Sequence, residues 1–142
     1  MKPAVFLSAV IGLSFASVVA ADDFPSMIGT WKGTSEALVI GNPVHYPELA
    51  SEQPIPRSSS AEFVLNLTRQ DGRHMWGRVS SSNITEPWIG AFWNDRQSFQ
   101  AVDSDGQIVG RMVDENTMEV MYTQQVDSNL ITSHVVFVRS VD

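Results

Sequence analysis

The sequence predicts an all-β chain, an eight-stranded antiparallel up-and-down barrel. Three observations carry this. From residue 62 onward apolar and polar residues alternate with a period of two, as in strands with one buried face. Between these runs stand compact turn signals, notably Gln70-Asp71-Gly72-Arg73 and Ser104-Asp105-Gly106. No segment of that region shows an apolar period of 3.6. Nearly every connection reads as a simple hairpin with no long crossover, which favours a barrel over a Greek-key sandwich. Closure also removes the sheet edges that eight short strands would otherwise expose.

The expected strands follow in order. The first covers 28–40 and is stopped by Gly41-Asn42-Pro43. The second, 62–69, sets Phe63, Leu65 and Leu67 against Glu62, Asn66 and Thr68. Strands at 75–80, 87–93 and 98–103 come next, Pro87 suiting a first strand position. The last three span 107–113, 118–124 and 130–139. Between the first and second strands, residues 41–61 hold four prolines and Ser58-Ser59-Ser60, without periodicity. A loop of that length in a compact domain reads either as a lid or binding loop or as a solvated excursion. Val44, His45, Tyr46 and Leu49 give it something to pack.

The first 21 residues read as a secretory signal peptide. Lys2 gives a positive start, 4–21 is apolar or small apart from three serines, and Val19 and Ala21 suit the −3 and −1 positions of a cleavage site. The run is near the short end for a spanning helix and meets Asp22-Asp23 at once, so no membrane span is expected in the mature form. The mature chain, 22–142, has the length of one domain able to bury about two-thirds of its unfolded surface. The expected location is secreted or periplasmic. There is no Cys, so stability must come from the core. The formal charge of −7 disfavours nucleic acid and anionic membrane as partners. Asn66-Leu67-Thr68 and Asn83-Ile84-Thr85 match the glycosylation sequon, which matters only in a eukaryotic source.

The two ends of the mature chain carry a family likeness. Met27-Ile28-Gly29-Thr30-Trp31-Lys32-Gly33 opens the first strand, and Val135-Val136-Phe137-Val138-Arg139 closes the last with one cation. A Gly-x-Trp on the first strand with a lone Arg on the last resembles the calycin barrels: lipocalins, fatty-acid-binding proteins and avidins. The resemblance implies that Gly29 lets the chain pass tightly under the floor, that Trp31 plugs the closed end, and that Arg139 stacks over it. It also implies a long first loop folded over the open mouth. The chain lacks the lipocalin C-terminal helix and Thr-Asp-Tyr motif and the helix pair of fatty-acid-binding proteins. Its length and hairpin spacing are closest to avidin.

The expected function is binding of a small, mainly apolar or aromatic molecule. Aromatic walls are how small barrels grip such ligands. Trp76, Trp88, Phe92 and Tyr122 are expected to line the pocket, with His45 and Tyr46 at its mouth. For the strand at 74–80 two orientations compete: His74, Trp76 and Arg78 inside, or Met75 and Val79 inside with Arg78 solvated. Arg111 poses the same choice. Ile89, Ala91 and Trp93 form an outward apolar face that would suit a homo-oligomer interface. No metal site is expected, since His45, His74 and His134 form no HxH or HxxxH pair. No cofactor is implied. Nucleophilic catalysis lacks a Cys, a Gly-x-Ser-x-Gly motif, and a base beside Ser58–Ser60. Two alternatives stand beside ligand binding. One is a protein-binding module with a filled barrel; the other is a cofactor-independent isomerase or cyclase using His45, Tyr46 or Glu48.

Overall fold

The computed structural model describes residues 23–141. The expected signal peptide, 1–21, lies outside them. Eight strands run β1 Gly29–Ile40, β2 Arg57–Asp71, β3 His74–Ser80, β4 Thr85–Phe92, β5 Ser98–Val102, β6 Gly106–Asp114, β7 Thr117–Val126 and β8 Asn129–Arg139. Each pairs antiparallel with the next, and β8 returns to β1, closing the barrel. One short 3-10 turn, Pro47–Leu49, sits between β1 and β2. Among the described residues no helix is long and apolar enough to cross a membrane.

The strands point every second residue inward. In β1 the buried set is Trp31, Ser35, Ala37 and Val39; in β8 it is Ile131, Ser133, Val135 and Phe137. Hairpins form where the turn residues accept a positive φ, as Gly72 does at 55° and Asp127 at 53°. The interior is mainly apolar, the largest fully buried side chains being Trp31 and Phe99, with Ser35, His45, Glu86, Gln124 and Ser133 as its buried polar residues.

One expected boundary is corrected. The loop expected over 41–61 ends at residue 56, because Arg57 to Ala61 already belong to β2 and pair with β1 as far as Val39↔Arg57. Ser58–Ser60 therefore form strand. Near the open mouth a wall of small polar residues satisfies the ladder as well as an apolar one, so this part of β2 leaves no apolar period.

The floor lies where the chain enters. Trp31 is fully buried, and its indole N–H donates to the Met27 carbonyl at 3.0 Å. The Arg139 guanidinium carbon stands 4.1 Å from the Trp31 ring centroid. That guanidinium also donates to the carbonyls of Ile28, Ser26 and Glu115, tying the end of β8 to the segment before β1 and to the β6–β7 turn. Gly29, at φ 136°, passes directly beneath it, and a Cβ there would meet Arg139.

Candidate functional site

β1 leaves the floor and ends at the opposite mouth, where Gly41, at φ 97°, turns the chain back across the opening. The loop at 41–56 is tied at both ends. Asn42 N–H donates to the Asn129 side chain at 2.7 Å, and Ser51 N–H to the Gly41 carbonyl at 3.1 Å. Between these ties His45 and Tyr46 drop into the barrel and are buried. Tyr46 hydroxyl and Ser35 hydroxyl share a hydrogen bond of 2.6 Å. Burial raises the Tyr46 pKa, and hydrogen bonds from Ser35 and Ser133 oppose the rise. The His45 ring lies 5.1 Å from the Phe63 ring, both its nitrogens engaged. Nδ1 meets Ser81 Oγ at 2.8 Å, and Nε2 meets Glu86 Oε2 at 2.8 Å.

Under this lid is a cavity of about 50 Å³, room for about three or four water molecules. Its walls are mainly apolar: Phe63, Leu65, Trp88, Val120, Val135 and Phe137. Its roof carries His45 and Tyr46, and Asp103 and Tyr122 close one side. Burial raises the Asp103 pKa, helped by the nearby carboxylates of Glu86 and Asp105 and opposed by hydrogen bonds from Gly106 and Asp105 N–H groups. Tyr122 donates to Asp105 at 2.9 Å; burial first, then the carboxylate of Asp103, lifts its phenol far above the ordinary range.

One oxygen each from Glu86, Asp103 and Asp105 lie within 4.8 Å of one another. Hard cations favour such oxygens. Here the carboxylates already have protein partners: His45 for Glu86, turn N–H groups for Asp103, and Tyr122 and Gln124 for Asp105.

The structure brings four of the six expected pocket residues to this cavity: His45, Tyr46, Trp88 and Tyr122. Two lie elsewhere. Trp76 faces outward, because the inward positions of β3 belong to Met75, Gly77 and Val79; its ring lies under the Arg69 guanidinium at 5.0 Å. Phe92 points inward but below the cavity, packed between Phe24 at 5.8 Å and Phe99 at 5.9 Å. Arg78 is exposed, and so is Arg111, which meets Glu119 at 2.7 Å on the outer wall. Ile89 and Trp93 are exposed, each more than half.

Glu86, Asp103 and Ser81 are the site residues that sequence reasoning missed. Glu86 stands two before Trp88 on the inward face of β4, and Asp103 two after the buried Ala101, just past the end of β5. Period-two extension beyond the apolar residues is the signal that finds them.

No family model matches the chain, and no curated protein matches it. Among solved structures, an S-type phycobiliprotein lyase from Guillardia theta aligns over 82% of this chain and 89% of its own, at 10% identity and a TM-score of 0.34. A score that low carries no argument about this chain.

Proposed function

We propose that this chain is an exported calycin-like barrel that binds a small, mainly apolar or aromatic molecule beneath its first loop. One observation carries the reading: an apolar cavity roofed by two buried aromatic residues of a loop, His45 and Tyr46, rather than by the barrel itself. A barrel that served only as a rigid frame would gain more by filling that space, since voids forfeit packing energy. The present volume is small beside ligand pockets of about 300–1,000 Å³. Anything larger than a few waters therefore enters with the lid displaced, and His45 and Tyr46 become the moving wall. Export rests on the sequence of residues 1–21, and a mature N-terminus at Ala21, Asp22 or Asp23 checks it.

Native mass spectrometry of protein from its own source, followed by thermal shift with small neutral aromatics, tests the binding. A retained small molecule, or a midpoint that rises with ligand concentration, is the expected result. The rise should vanish in Val120→Phe, which fills the cavity. No retained molecule and no shift would move the weight to a protein-binding barrel.

A further inference from the structure

Three residues from three separate elements meet at the rim of the cavity, and of these the ligand reading uses only His45, as part of the roof. Ser81 stands in the turn after β3, His45 in the lid, and Glu86 on the inward face of β4. Ser81 Oγ lies 2.8 Å from His45 Nδ1, and His45 Nε2 lies 2.8 Å from Glu86 Oε2. Glu86 and His45 are both more than nine-tenths buried, while Ser81 is half-buried. A single hydroxyl–imidazole hydrogen bond would suffice to hold the lid. The buried carboxylate on the far nitrogen does more, because an ionised group there is costly unless it serves a partner.

We infer that Ser81, His45 and Glu86 form an acyl-transfer site: Ser81 the nucleophile, His45 the general base, Glu86 the group that orients it. A carboxylate at Nε2 fixes that proton in place and leaves the Nδ1 lone pair facing the serine hydroxyl. The Asn83 main-chain N–H approaches Ser81 Oγ at 3.3 Å, so the serine oxygen accepts from it and donates its own hydrogen to His45. Nucleophile, base and orienter within hydrogen-bond reach is the arrangement that activates a serine irrespective of fold.

The substrate class is a small ester. Ser81 Oγ bonds to the acyl carbon while its proton passes to Nδ1. The ester C–O bond then breaks, and the departing alkoxide takes that proton and leaves as the alcohol. Water repeats the sequence on the acyl-serine, loses a proton to Nδ1, and releases the acid as the serine recovers its hydrogen. His45 also lines the apolar cavity, which seats a short acyl chain; that last point rests on the proposed ligand pocket.

The test is covalent labelling of the whole mature protein with an alkyl fluorophosphonate, read by intact mass and peptide mapping, beside hydrolysis of p-nitrophenyl acetate. One adduct on Ser81 is expected, absent in Ser81→Ala and slowed at least ~100-fold in His45→Gln, the usual lower bound for a lost general base. Glu86→Gln, which keeps shape and a hydrogen bond, should also slow it. Thermal midpoints of all three variants report whether the barrel still folds. No adduct on wild type, adducts spread equally over Ser58–Ser60 and Ser82, or a rate unchanged in His45→Gln each overturn the inference. Binding of a small neutral aromatic is followed on the same samples. Labelling lost with binding kept sinks the relay alone; binding lost with labelling kept sinks the pocket alone.

Discussion

The Arg139 guanidinium lies over Trp31 at 4.1 Å from ring centroid to guanidinium carbon, and the two residues are also register partners across β1 and β8. One contact therefore closes the barrel and seals its floor, joining the start of the first strand to the end of the last. A cation–π contact at a partly exposed site is worth ~1 kcal/mol, and the three carbonyls that Arg139 serves would otherwise lose a partner. Trp31→Ala should cost ~3–5 kcal/mol, the range for large aromatics removed from a core. Arg139→Met should cost less, and Arg139→Lys should recover only part, since an ammonium cannot serve three carbonyls in a planar fork. Urea denaturation of the three variants ranks them.

Gly77 faces the main chain of β2 where that strand shifts register between Leu67 and Arg69. A Cβ at this position would run into the Asn66 carbonyl oxygen, which is backbone and cannot swing aside. Gly77→Ala should therefore destabilise by ~1–3 kcal/mol, as overpacking does. Gly72→Ala, which meets open space but keeps φ at 55°, separates backbone strain from crowding. Thermal midpoints of the pair should show the larger loss at Gly77.

The barrel was legible because its information is local. Asp-Gly turns and alternating faces mark six hairpins without knowledge of distant contacts. The misread parts are those where partners far apart in sequence decide. Ser58–Ser60 are strand only because β1 lies beside them. By sequence Trp76 reads as pocket wall because a large aromatic is usually buried, whereas Arg69 of the neighbouring strand covers it on the outside. At the site, Trp88 and Tyr122 follow from strand parity. The His45–Glu86 contact joins a loop to a strand 41 residues away, and no periodicity encodes it.

Glu119 sits on the outer wall between Arg111 at 2.7 Å and His134 at 3.0 Å. The hydrogen bond from Arg111, then that from His134, lowers its pKa from the ordinary 4.5. A carboxylate depressed in the folded state lends stability above the unfolded value and loses it as pH falls through the folded one. Glu119→Gln should thus lower the thermal midpoint slightly at neutral pH, with the difference vanishing in acid well below 4.5. Because the group is solvent-accessible, added salt should shrink the effect as well. Midpoints across pH and salt measure both.

Asp103 runs the opposite way. Burial raises its pKa above the ordinary 3.8, with Glu86 and Asp105 adding repulsion. A carboxyl raised in the folded state contributes its stability below the unfolded value and loses it as pH climbs through the folded one. At neutral pH the ionised Asp103 is therefore a cost to folding. Asn keeps the Oδ1 that accepts the Gly106 N–H at 2.8 Å and removes the charge. Asp103→Asn should raise the thermal midpoint at neutral pH, and wild type and variant should converge as pH falls below 3.8. A stabilised variant that binds small aromatics less well would show stability given up for function at this wall. No gain at neutral pH would overturn the reading that burial makes the Asp103 charge a cost to folding.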